Sequence, residues 1–201
     1  ERPDVRLHRL LVLGQFMVHN RNRYHPRSLG KAHLGRYLMN TVQSGTPLTR
    51  GVIFVHSAPS ALCAHVEWAV AGVLGGKVDM AWTAQPAEPG SHRAELSWQA
   101  PVGTAATIAS TLRGWDLLRF EVTEEPTAVS EGARYSFTPT LGIYHAMTGL
   151  HGDIVIPEDR IRAFRVKAAQ GEITMEQALD GLLGVDWDEE LETFRHAGEG
   201  A

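Results

Sequence analysis

From residue 51 onward, apolar and polar positions alternate with two different periods, and the switches between them predict the order strand, helix, strand, strand, helix, strand. Residues 51–57 (GVIFVHS) are a nearly continuous apolar run of strand length, as expected for a central strand buried on both faces. Pro59 then suits a first helical turn, with Ser57 or Ser60 as cap. Leu62, Val66, Ala69, Val70 and Val73 recur at helical spacing until Gly75 and Gly76 end the run. Two period-two segments follow: Val78, Met80 and Trp82 share one face, and Ala94, Leu96 and Trp98 another, with residues 86–91 as the turn of a hairpin. A second helix enters at Gly103 and Thr104, places Ala105, Ile108, Ala109 and Leu112 on one stripe, and stops at Gly114. In the next strand Leu118, Phe120 and Val122 face inward, while Arg119, Glu121 and Thr123 face away.

This order predicts an α+β protein with a ferredoxin-like βαββαβ core over residues 51–126, strand order 4-1-3-2 and both helices on one face. Val52 or Ile53, Phe54, Val55, Leu62, Val66, Leu96, Ile108, Leu112 and Phe120 are the expected core. A β-hairpin is expected next, within residues 133–156, and then a helical tail over 157–196. Pro157 opens the first tail helix, Thr174 with Gln177 reads as a capping box for the second, and Asp186 with Glu189 as a similar start for the third. Met175, Ala178, Leu179, Leu182 and Leu183 form the expected buried stripe of the second.

Charge divides the chain. Residues 1–50 hold nine Lys and Arg against two acids, whereas residues 51–201 hold ten against 21. An acidic domain speaks against a nucleic-acid footprint there, leaving the basic arm as the one segment where nucleic acid could bind, the least favoured of the readings. Residues 1–50 are expected to be a disordered or non-native extension, and residues 51–201 a single domain. Met39 is a candidate start, which would make residues 1–38 dispensable. One cysteine, Cys63, excludes an intramolecular disulfide and points to a reducing, cytoplasmic compartment. The apolar stretch 10–18 is too short to span a bilayer, so no membrane association is expected.

The segments GVIFVHSAPSALCAHVEWAVAGVLG, HRAELSW, TLRGWDLLRFEVTEEP, TPTLGIYHAMTG and GDIVIPEDRIR resemble an actinobacterial family catalogued as a domain of unknown function, over roughly residues 51–200. The resemblance implies a bacterial cytoplasmic protein, and it supplies no activity, cofactor or catalytic residue.

Spacing removes several chemistries. On a helix Cys63 and His65 point to opposite sides, and so do His65 and Glu67, so neither a cysteine–histidine dyad nor a zinc pair forms. Cys63 and Glu67 have i, i+4 spacing, but a lone cysteine reads as a core thiol. No phosphate loop, dinucleotide fingerprint, metal site or cofactor motif is present. Two surfaces remain. The junction of the first strand and helix, with His56, Ser57, Ser60 and more distantly His145, could hold a small anionic ligand at free backbone N–H groups. The sheet face away from the helices, with Arg93, Glu95, Arg119 and Glu121, could dock a protein partner or a second copy of the chain. The expected function is therefore a non-enzymatic module binding a small ligand or a protein. A small hydrolase or transferase using His56, Ser57 and His145 is the alternative.

Overall fold

A computed structural model describes residues 47–197 of the chain. Expectations for the N-terminal arm, including its basic charge as a nucleic-acid contact, lie almost wholly outside these residues. Seven strands, β1 (Leu48–Pro59), β2 (Thr83–Ala84), β3 (Ser91–Pro101), β4 (Arg119–Glu124), β5 (Gly132–Thr138), β6 (Gly142–Thr148) and β7 (Ile154–Val155), form one sheet. Its order is β2-β3-β1-β4-β5-β6-β7, antiparallel at every pairing. Five helices complete the α+β fold: α1 (Ser60–Leu74), α2 (Thr104–Leu112), α3 (Glu158–Ala169), α4 (Met175–Leu183) and α5 (Val185–Arg195).

The sheet has two differently covered faces. On one, α1 and α2 pack over Ile53 and Val55 of β1, Phe120 and Val122 of β4 and Phe137 of β5, each no more than 6% exposed. Val66, Val70, Ile108, Ala109 and Leu112 supply the helical half of this core. Of the expected core, Leu62 and Leu96 are half-buried at its margin, and Phe54 lies on the other face. On that other face, α4 and α5 cover β5 and β6 through Tyr144, Ala146, Leu182 and Leu191. The hydroxyl of Tyr144 donates to the carbonyl of Leu182, and the indole of Trp187 to that of Gly142, at 2.7 and 2.9 Å.

Two glycines make close approaches possible. A Cβ on Gly51 would stand 1.9 Å from the carbonyl oxygen of Thr123 and 2.4 Å from the Trp98 ring, so only glycine lets that indole cross the strand. Gly184, at φ 77°, turns the chain between α4 and α5 with the Tyr144 ring where a Cβ would be.

Several expectations change in detail. β1 begins at Leu48, so residues 48–50 belong to the fold and not to the arm. Residues 78–82 keep the predicted alternation of inward and outward side chains, yet they form no ladder. The Glu67 carboxylate on α1 takes their donors instead: Met80 N–H at 2.9 Å and the Trp82 indole N–H at 3.0 Å. The capping box of Thr174 and Gln177 is present. α5, by contrast, has no side-chain cap, because the chain passes straight from α4 through Gly184. On α4 only Ala178 and Leu182 are buried, while Met175, Leu179 and Leu183 are at least 40% exposed, since the sheet meets a narrower stripe of the helix than expected.

Candidate functional site

A β-bulge in β1 builds the site. Val55 pairs with Ala94 of β3 and Ala58 with His92, so His56 and Ser57 together oppose the single Arg93. Against β4 the register slips by one residue at His56. Bulges bend a strand and re-aim its side chains. His56 keeps the alternation of the strand and shares the sheet face of Phe54, Arg93, Glu95 and Glu121, while the bulge brings Ser57 to that same face, opposite Arg119. The His56 carbonyl, left without a ladder partner, accepts a hydrogen bond from the Gln85 side-chain amide at 2.6 Å. Gln85, 2% exposed, also donates to the Phe194 carbonyl at 3.1 Å and accepts from Ala87 N–H at 3.0 Å. One glutamine thus joins the bulge, the β2–β3 turn and the end of α5.

Beside it Glu121 is 7% exposed and collects donors from four side chains. His56 Nε2 lies 2.7 Å from Oε2. Arg195 donates to both oxygens, at 3.0 and 2.9 Å. Arg134 donates to Oε1 at 3.1 and 2.7 Å, and the Ser136 hydroxyl at 3.2 Å. Asp188 of α5 binds both arginines, completing a network that latches α5 to the sheet. Burial pushes the Glu121 carboxyl up, but the hydrogen bonds from His56 and Arg195 and the charges of His56 and Arg134 outweigh it and hold it far below the usual range. A carboxylate so held only accepts, so the hydrogen on Nε2 belongs to His56. Glu121 has no capacity left for proton transfer. It orients the imidazole.

In front of this network lies an open groove of about 650 Å³. Phe54 and Phe194 are its apolar walls, and His56, Arg93, Glu95 and Arg195 its polar ones. Phe54 stacks on His56 with ring centroids 6.1 Å apart. Arg93 donates to the Ala197 carbonyl at 2.8 Å and makes no ion pair among the described residues. Glu95, across from Phe54 on β3, is exposed and likewise makes none.

The residues expected to form one site are divided by the fold. His56 lines the groove with Arg93, Glu95 and Glu121, so one member of the first expected site joins three of the second. Ser57, wholly buried, does not cap α1; its hydroxyl hydrogen-bonds to Glu88, which Ser91 and Arg119 also bind. Ser60 is exposed and caps nothing, because Pro59 holds the N-cap position. His145 lies on β6 on the opposite face, stacked on Tyr135 at 4.6 Å. It is three strand spacings from β1, about 14 Å. Burial and the charge of Arg160 lower its pKa. Arg119 lies under Phe194, with its guanidinium 4.4 Å from the ring centre. The face expected to be free for docking is therefore covered by α5 at Arg119 and Glu121, and remains open at Arg93 and Glu95.

Cys63 is half-buried on α1 and not in the core; burial raises its pKa, and its thiol lies 3.7 Å from the Pro59 carbonyl. Among the described residues no group of three or more His, Cys, Asp or Glu is arranged to hold a metal. No described helix is long and apolar enough to cross a membrane.

Sequence reasoning missed Gln85, Phe194 and Arg195. The last two lie about 140 positions from His56, and no local pattern marks them. No curated protein and no solved structure matches the chain. Residues 52–201 match a family described as a protein of unknown function, DUF3145, and the chain belongs to that family.

Proposed function

We propose that the protein is a non-enzymatic binding module whose groove, between the bulge of β1, β3 and the end of α5, takes a small ligand with an anionic group. The observation that carries this reading is Arg93. In a domain with 21 acids and ten Lys and Arg, its guanidinium lines a groove and meets only a backbone carbonyl. Guanidinium donors recognise carboxylate and phosphate through paired hydrogen bonds, and Phe54 and Phe194 offer an apolar surface for the rest of the ligand. The order β2-β3-β1-β4, with α1 and α2 on one face, supports a ferredoxin-like reading of this half, extended by β5–β7 and a helical tail. The single cysteine supports a cytoplasmic location.

The alternative, a hydrolase or transferase built on His56, Ser57 and His145, finds no support in the geometry. His145 lies on the face of the sheet opposite to His56, and the Ser57 hydroxyl is committed to Glu88. A thermal-shift screen of the full chain with small carboxylates and phosphates is the test. Ligands should raise the melting temperature of the wild type and fail to do so for Arg93→Gln. Equal shifts in both proteins would move the site elsewhere.

A further inference from the structure

The cationic residue of the groove does not stand alone. Arg93 and Glu95 are alternate residues of β3, on one face and about 7 Å apart along the strand, and they form no ion pair with each other. Oppositely charged neighbours that leave each other unpaired at the mouth of a groove present a donor fork and an acceptor side by side. His56 adds a ring nitrogen beside them. Nε2 is engaged by Glu121, and Nδ1 has no hydrogen-bond partner among the described residues. Because the bulge sets His56 opposite Arg93, and Phe54 pairs with Glu95, the four side chains form two adjacent rows across β3 and β1.

From this arrangement we infer that the groove selects a small zwitterion of the α-amino-acid type, with its carboxylate on Arg93, its ammonium on Glu95, and an apolar side group between Phe54 and Phe194. The inference rests on the binding reading above and narrows it, since a simple anion would leave Glu95 as a repelling neighbour. An ammonium beside the carboxylate turns that repulsion into a charge-assisted hydrogen bond. Phe54 and Phe194 favour an aromatic or branched aliphatic group, and Glu121 cannot compete for the ammonium because its oxygens are already filled by arginine, serine and histidine donors.

Calorimetric titration of the full chain with matched probes tests this: phenylalanine and leucine, then the corresponding carboxylic acids lacking the amine, then the amines lacking the carboxylate. The zwitterions should bind at least about tenfold more tightly than either counterpart, the scale of one charge-assisted contact. Glu95→Gln, a change at an exposed position, should remove most of that preference by weakening the amino acids and, with the repulsion gone, tightening the plain carboxylic acids. Carboxylic acids binding as well as the amino acids, or a preference that survives Glu95→Gln, overturns the zwitterion and leaves the anion site standing. If none of the probes binds while phosphates or dicarboxylates do, the ligand class is wrong. If no ligand of any kind binds, the binding reading falls with it.

Discussion

The Gln85 side chain donates to the His56 carbonyl at 2.6 Å, closing the gap that the bulge leaves in the ladder of β1. Gln85→Ala would strand that buried carbonyl and the one of Phe194. An unsatisfied buried polar group costs about 1–3 kcal/mol. The variant should therefore unfold at lower denaturant concentration with an unchanged m-value, and hydrogen exchange should speed up at the end of α5 before it does in β4.

The Glu121 network predicts a sign for the pH dependence. The folded-state pKa of Glu121 is depressed, so its contribution is fully present above the ordinary value of 4.5 and is lost as pH falls below that, toward the folded value. Glu88, lowered against its own burial by hydrogen bonding from Ser57 and the charge of Arg119, acts in the same direction. Denaturant titrations should show wild-type stability declining as pH is lowered from 4.5. Glu121→Gln should be less stable at neutral pH and show a shallower acid decline. A decline as steep as wild type would assign the acid sensitivity to other groups.

Glu124, at the end of β4, caps α2 from a neighbouring strand, receiving Gly103 N–H at 2.8 Å and Ala105 N–H at 2.9 Å. The residue at the N-cap position, Gly103, offers no side chain of its own. Glu124→Ala should cost about 1–2 kcal/mol, the range of a lost N-cap, measured by chemical denaturation. Amide exchange should accelerate at Gly103 and Ala105.

Gly51→Ala places a methyl group against the Thr123 carbonyl and the Trp98 ring, both of which belong to packed elements. Overpacking of this kind costs about 1–3 kcal/mol. Thermal unfolding should show a lowered midpoint together with a changed Trp98 fluorescence environment. Gly72, whose Cβ would meet open space, is the control, and Gly72→Ala on α1 should be neutral or stabilising.

The strands and helices were legible in the sequence wherever one repeat ran through a long element. The stripe Ala105, Ile108, Ala109 and Leu112 is wholly buried, as are Leu118, Phe120 and Val122, because a helix or strand with one apolar face has only one way to remove it from water. Where a segment's partner lies outside its own sequence window, the pattern stopped short. Residues 78–82 alternate like a strand, but their donors go to Glu67 on α1. Glu121 reads as an outward-facing charge on an exposed strand, yet α5 folds over it, and two arginines with His56 neutralise and satisfy it.

The sequence by itself determined the two-period order, the capping box at Thr174 and the face on which the main core forms, since these depend on neighbours within a turn or a strand. Tertiary structure alone decided which way Ser57 points and that it serves Glu88, and that His145 belongs to another surface. A one-residue bulge reverses the side chains that follow it, and a carboxylate's environment depends on donors brought from 74 positions away. Such long-range hydrogen bonds leave no periodic trace in the chain, so the groove appears only once α5 has closed against the sheet.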